Sequence, residues 1–154
     1  KSVIAGIKNL MDYESYLTEE MKSYISLEYD NARKVVNDAK LVVSASGTAT
    51  LEVGIIGRPM VIIYKTGYIT YFIAKNLVTL TSIGLINLVL DNKIVPELIQ
   101  HEATAEKISM ELSKFLEDEL YFKQTKEKLN KTVTLLGDGK ASLKTAELLL
   151  EYLN

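Results

Sequence analysis

The chain has 154 residues, 47% of them hydrophobic and 25% charged, with a net charge of -2. That is enough for one ordinary domain with a real core, and its balanced charge gives no polybasic field of the kind nucleic acid needs. It has no cysteine and one histidine, which excludes disulfides, thiolate chemistry, Cys-based metal sites and His-pair zinc motifs.

The longest apolar runs are too short to span a bilayer, and the opening Lys1-Ser2-Val3-Ile4-Ala5-Gly6 has no signal-peptide shape. It lacks an initiating Met and opens on an apolar run, which points to a piece of a longer chain. Val3 and Ile4 are predicted to end a strand, with Ala5-Gly6 a turn. Asn9 to Lys22 carries Leu10, Tyr13, Tyr16, Leu17 and Met21 at helical spacing. Tyr24 to Tyr29 is a short strand. Asp30 or Asn31 then caps a helix from Ala32 to Asp38, with Val35 and Val36 inward.

Leu41 to Ser44 is the next strand. It breaks into Ala45-Ser46-Gly47-Thr48 and resumes as a helical run from Ala49 to Ile56, ending at Gly57 as a plausible C′ residue. After Pro59, Met60-Val61-Ile62-Ile63-Tyr64 is a continuous apolar run, suited to a strand buried on both faces of a parallel sheet. Tyr68 to Val78 is helical, and its Tyr68, Tyr71 and Phe72 suit core packing ahead of contact with lipid or a partner. Ile83 to Leu90 is apolar and β-branched, with Asn87 in its middle. Pro96 opens a short helix from Glu97 to Gln100. Thr104 caps another, with Ile108, Leu112, Phe115 and Leu116 on one face. Tyr121 to Leu136 is a third helix, stopped by Gly137-Asp138-Gly139. The last carries Leu143, Ala146, Leu149, Leu150 and Leu153.

Alternating β and α followed by helices predicts a Rossmann-like α/β fold: a parallel sheet with helices on both faces and a helical C-terminal tail packed on the sheet. With no repeat, low-complexity tract or linker, residues 1–154 are expected to form a single domain.

Strand, tight turn and helix around Ser46-Gly47-Thr48 place free backbone N–H groups and a helix dipole at the carboxyl end of a strand, where open α/β sheets bind ligands. Glycine lets backbone approach a phosphate, and the Ser and Thr hydroxyls are further donors. The same residues also suit a plain turn with Thr48 as N-cap. Glu52, one helical turn past Thr48, can face the same mouth and accept from ribose hydroxyls, or can lie solvated. Asn87 needs hydrogen bonds inside its apolar run or an exposed strand end. Glu97 and Gln100, taken alone, suit a surface. His101 has no nucleophile or second base in view and is expected at the surface. Gly137 to Ser142 fails as a P-loop, because it lacks the first glycine and has Ala141 after Lys140.

In order along the chain, Ser46-Gly47-Thr48-Ala49-Thr50-Leu51-Glu52, Pro59-Met60-Val61, Tyr64-Lys65, Leu85-Ile86-Asn87-Leu88 and Val95-Pro96-Glu97-Leu98-Ile99-Gln100 resemble the lipid-A-disaccharide synthase family. The likeness runs over nearly the whole chain and corresponds to the C-terminal, nucleotide-sugar-binding half of that enzyme. It implies one Rossmann-like half of a GT-B glycosyltransferase, without the N-terminal acceptor domain. The implied reaction is an inverting transfer of 2,3-diacylglucosamine from UDP-2,3-diacylglucosamine to 2,3-diacylglucosamine 1-phosphate, needing no metal or other cofactor. It implies peripheral contact with the cytoplasmic face of the inner membrane of a Gram-negative-type bacterium, and leaves a homodimer open.

By the same resemblance Ser46, Gly47, Thr48 and Ala49 hold the UDP diphosphate and Glu52 lies near the ribose. Asn87 matches the Asn of a Leu-Pro-Asn element, and Glu97 and Gln100 match a Pro-Glu-Leu-x-Gln element lining the donor site. This sequence departs from the pattern at Ile86, where the family has Pro, and near Gly67, where its loop carries a proline. No catalytic base stands out, and the family's layout puts it in the N-terminal half. Two other readings stay open: another UDP-sugar GT-B enzyme, such as a UDP-N-acetylglucosamine transferase or epimerase, or a non-catalytic interaction module.

Overall fold

The computed structural model describes residues 1–67, 82–137 and 141–153. They fall into two compact units, Lys1–Lys40 and Leu41–Asn154. The architecture is α/β, Rossmann-like, with parallel sheets flanked by helices and a helical C-terminal part.

In the first unit, β1 (Ser2–Gly6) and β2 (Ile25–Tyr29) pair in parallel from Ser2↔Ile25 to Gly6↔Tyr29. Ala5 and Gly6 therefore belong to the strand and not to a turn. The helix expected over Asn9 to Lys22 is instead a 3-10 turn (Glu14–Tyr16) and one turn of α-helix, α1 (Glu19–Lys22). Side chains compete for the backbone here. Tyr13 Oη accepts from Ile7 N–H at 3.1 Å, and Asp12 Oδ1 accepts from Ser15 N–H at 3.3 Å. Thr18 starts α1 afresh as its N-cap, accepting from Met21 N–H at 3.2 Å. Helix α2 (Ala32–Asp38) packs on both strands, with Val35 and Val36 half-buried. Asn31 is its N-cap without a side-chain bond, and the other expected cap, Asp30, instead accepts from Lys8 N–H at 3.0 Å.

The second unit holds β3 (Val42–Ala45), β4 (Met60–Tyr64) and β5 (Glu97–Ile99), all parallel, in the order β3-β4-β5. Helix α3 (Thr48–Ile56) links β3 to β4. It ends where Gly57 takes φ 73°, and Arg58 N–H reaches back to the Val53 carbonyl at 3.2 Å. This is the 6→1 bond of a Schellman ending, which wants glycine at C′.

Met60, Val61 and Ile62 are fully buried. Each such side chain contributes about 1.5–3 kcal/mol on leaving water. Val61 joins Leu98, Ala103 and Phe115 on one face, closed by Ile108, Leu112, Tyr121 and Phe122. On the other face Ile62 lies against Gly84, the N-cap of α4 (Leu85–Val89), and α3 packs on β3 and on α4. There α3 and α4 touch so closely that a Cβ on Gly54 would run into Ile86 Cδ1. A run apolar throughout is what a strand covered on both faces requires.

Two expected elements differ. Within Ile83 to Leu90, which carries three leucines beside its β-branched Ile83, Ile86 and Val89, residues Leu85–Val89 wind into α4. Pro96 does not open a helix: its carbonyl accepts from Ile62 N–H at 2.9 Å, and the residues after it continue as β5. A missing N–H is tolerated at the first residue of a strand as well as of a helix.

Helix α5 (Ala105–Glu117) starts at Thr104, whose hydroxyl accepts from Lys107 N–H at 3.3 Å. Ile108, Leu112 and Phe115 face inward, but Leu116 is exposed. Helix α6 (Glu119–Leu136) packs against α3, α4 and α5, with Phe115 and Tyr121 stacked 4.6 Å apart. In α7 (Ala141–Leu153) the expected inward residues Leu143, Leu149 and Leu150 are exposed. Periodicity identifies an apolar face but not what covers it. The helix expected from Tyr68 to Val78, with Tyr71 and Phe72, lies outside the described residues, as do Asp138, Gly139 and Lys140. No helix among the described residues is long and apolar enough to cross a membrane.

Candidate functional site

The turn from β3 to α3 lies at the carboxyl end of the parallel sheet. Gly47 is the N-cap of α3, at φ 151° and ψ -165°. That is a region only glycine occupies without strain. A Cβ there would meet nothing within 4 Å, so the backbone conformation demands the glycine and the space above it stays open. Thr48 is the first helical residue and not the N-cap, and no side chain caps α3. Thr50, fully buried, folds its hydroxyl back onto the Gly47 carbonyl at 2.8 Å, and its N–H reaches the same oxygen at 3.1 Å.

The N–H groups of Thr48 and Ala49 belong to the set a helix leaves without internal acceptors, and they find none among the described residues. Both residues are exposed. Glu52, four residues past Thr48 on the same helix face, is exposed as well. The open part of the turn therefore combines two outward amides, the Thr48 hydroxyl, a helix N-terminus and one carboxylate. Such amides suit an oxyanion, and such a carboxylate suits a hydroxyl.

Ser46 is differently engaged. Its N–H donates to the Ile63 carbonyl at 2.9 Å, and its hydroxyl donates to the Ile83 carbonyl at 2.9 Å. Asn87 is 1% exposed and uses its whole side-chain amide. Its Nδ2 donates to the Val95 carbonyl at 2.9 Å and to Glu97 Oε1 at 2.8 Å, while its Oδ1 accepts from Ile94 N–H at 2.9 Å and Val95 N–H at 3.1 Å. That is two donors and two acceptors, the full capacity of an amide. Glu97, 6% exposed, accepts on Oε2 from Ile83 N–H at 3.0 Å and on Oε1 from Gly84 N–H at 3.0 Å. It sits where an anion would, at the start of α4. Gln100, at φ 53°, pairs both side-chain polar atoms with one residue: Oε1 accepts from Thr66 N–H at 2.8 Å and Nε2 donates to the Thr66 carbonyl at 3.0 Å.

The residues singled out by sequence thus divide. Thr48, Ala49 and Glu52 present open groups, with clear space above Gly47; Ser46, Asn87, Glu97 and Gln100 use theirs within the protein, Ser46 and Glu97 both on Ile83 and Asn87 on Glu97. The peptide groups of Ile83 and Thr66 were not anticipated. Backbone groups carry no side-chain signature, although Gly84 beside Ile83 was a cue to close approach. His101 is exposed, as expected. Among the described residues no cluster of three or more His, Asp or Glu could hold a metal.

A family model described as lipid-A-disaccharide synthetase matches residues 5–152. The lipid-A-disaccharide synthase of Geobacter metallireducens is 38% identical over 156 residues, covering 96% of this chain and 41% of the relative. That of Geobacter sulfurreducens is 36% identical over 129 residues, 84% of this chain and 34% of the relative. That of Persephonella marina is 39% identical over 107 residues, 70% of this chain and 28% of the relative. The chain spans well under half the length of these relatives. With the fold and the ordered motifs of the turn, this places the chain in the lipid-A-disaccharide synthetase family.

Proposed function

We propose that this chain supplies the UDP-sugar site of a GT-B glycosyltransferase of lipid A biosynthesis. In this reading residues 1–154 form a single nucleotide-sugar-binding half. The intact enzyme transfers 2,3-diacylglucosamine from its UDP donor to 2,3-diacylglucosamine 1-phosphate, giving the β-1,6-linked disaccharide. The observation that carries the reading is the open Gly47 turn, with the unengaged N–H groups of Thr48 and Ala49 and with Glu52 one helical turn further on.

As the acceptor 6-hydroxyl attacks the anomeric carbon and the bond to UDP breaks, negative charge builds on the departing diphosphate. The Thr48 and Ala49 amides, the Thr48 hydroxyl and the positive end of α3 stabilise it, and they need no reorganisation at that moment. Ser46 and Gly47 shape this grip. Glu52 accepts from ribose hydroxyls. Asn87, Glu97 and Gln100 line the donor side and hold its loops. No metal takes part. The base that removes the acceptor proton comes from outside this chain. Two acylated substrates put the enzyme at the cytoplasmic face of the inner membrane, as a peripheral protein.

UDP is expected to raise the melting temperature of the 154-residue chain, because a ligand that binds only the folded state stabilises it by mass action. The same chain is expected to form no disaccharide, and clear turnover would contradict the placement of the base. In the intact enzyme, tighter binding of the diacylated donor than of UDP-N-acetylglucosamine is expected. The reverse order would point to a different UDP-sugar enzyme.

A further inference from the structure

We propose that Ser46 and Glu97 are positioning residues for the donor turn, acting on it through the backbone of Ile83. This rests on the reading that the turn holds the donor diphosphate. A serine has one hydroxyl proton and one N–H to give. Both of Ser46's are already used, on the Ile83 and Ile63 carbonyls, each at 2.9 Å. What remains on Ser46 Oγ is acceptor capacity, which does not suit a phosphate oxygen. Its contribution is to tie the turn down.

The tie is anchored from the other side of the sheet. The Ile83 N–H sits on Glu97 Oε2 and the Gly84 N–H on Glu97 Oε1, both at 3.0 Å. Oε1 also takes Asn87 Nδ2 at 2.8 Å. Asn87 is itself pinned by the backbone of Ile94 and Val95. A Cβ on Gly84 would run into Ile62 Cδ1 and stand 3.0 Å from Glu97 Oε1. The 83–84 peptide is therefore seated directly on the carboxylate and on β4.

The hydrogen bonds run unbroken from Glu97 at the start of β5, through Ile83, to Ser46 at the end of β3. The anchoring matters because of the next residue. Gly47 has the widest choice of backbone wells of any residue type, so it does not hold φ 151° by its own preference. Fixing Ser46 selects that well, and with it the direction of the Thr48 and Ala49 amides.

The test is a double-mutant cycle in the intact enzyme, with UDP affinity read by calorimetry for wild type, Ser46→Ala, Glu97→Gln and the pair. In Glu97→Gln the amide NH2 is expected in the Oε2 place, where it opposes one donor, Ile83 N–H, because in the Oε1 place it would oppose two, Gly84 N–H and Asn87 Nδ2; the seat of Ile83 is then lost although the shape is kept. Each single change is expected to weaken UDP about 3- to 10-fold, the weight of one hydrogen bond. The pair is expected to be within about twofold of the weaker single variant, because residues in one network couple. The acceptor's KM is expected to stay at its wild-type value.

Factors that multiply in the pair, or an unchanged affinity in Ser46→Ala, would overturn the proposal. Glu97→Asp, which withdraws the oxygens by one methylene, replaces Glu97→Gln if that variant does not fold. If the wild-type enzyme bound no UDP, the donor reading would fail by itself. A crystal structure of the Glu97 variant would then decide the tie: Ser46 Oγ still on the Ile83 carbonyl would overturn it, and a released Ser46 with a changed Gly47 would uphold it.

Discussion

Asn87→Asp exchanges one atom at the best-filled polar position of the second unit, and its effect can be worked from distances. The new oxygen replaces Nδ2, which stands 2.8 Å from Glu97 Oε1. Two full charges at that separation repel by about 6 kcal/mol at an effective dielectric constant of 20. Folding avoids that by keeping a proton on the introduced carboxyl. Holding a group with an ordinary value near 4 protonated at pH 7 costs about 4 kcal/mol. The lost bond to the Val95 carbonyl (2.9 Å) adds about 1 kcal/mol. A loss of about 4–6 kcal/mol is expected at pH 7, much of the stability of an ordinary domain.

The sign with pH follows from proton binding. The introduced carboxyl has a raised value in the folded state, so the folded variant binds more protons than the unfolded one. Its stability therefore falls as pH rises above about 4 and returns as pH is lowered, by about 1.4 kcal/mol per pH unit. Urea-induced unfolding at pH 5, 6 and 7 reads this. Asn87→Leu serves as the control, because it strands the same partners without adding a titrating group. A difference from wild type below about 1 kcal/mol at pH 7, or one as independent of pH as that of Asn87→Leu, would show that no proton is held between residues 87 and 97.

Three further outcomes are expected. Gly47→Ala meets no neighbour, but it forces a side chain into a glycine-only conformation; a loss of about 1–3 kcal/mol in urea unfolding is expected, and no loss would mean the turn relaxes freely. Glu52→Ala is expected to leave the melting temperature unchanged, since the side chain is exposed, and to weaken UDP binding by about 1–3 kcal/mol; an unchanged affinity would remove Glu52 from the site. Gln100→Ala loses both bonds to Thr66 and keeps a strained φ of 53°, whereas Gln100→Gly loses the bonds but not the conformational fit. The glycine variant is therefore expected to be the more stable by about 1 kcal/mol, and the opposite order in thermal unfolding would show that the backbone there is not strained.

Legibility followed the kind of signal each residue carries. Met60 to Tyr64 reads as a buried strand because it is apolar at every position, and the structure covers it on both faces. Gly57 reads as a helix end because few other residues accept a positive φ. Pro96 was ambiguous: its missing N–H suits the first residue of a helix or of a strand, and pairing with Ile62 decided for the strand. Asn9 to Lys22 shows helical spacing, but Asp12, Tyr13 and Thr18 capture backbone groups and break it into two short turns. At the candidate site, residue type and spacing point to a glycine turn at Gly47 followed by Thr48 and Glu52 on one helix face, which is the placement observed. The link from Ser46 to Glu97 is not legible in that way, since it runs through the main chain of Ile83, and neither is the direct bond from Asn87 to Glu97.

The proposed grip of the turn after β3 on the donor's diphosphate fixes where UDP must lie. Its most direct test is a crystal structure of the intact enzyme with UDP. Diphosphate oxygens about 3 Å from the amide nitrogens of Thr48 and Ala49, with the ribose on Glu52, are the expected result. UDP bound elsewhere, with those amides still facing solvent, would contradict it.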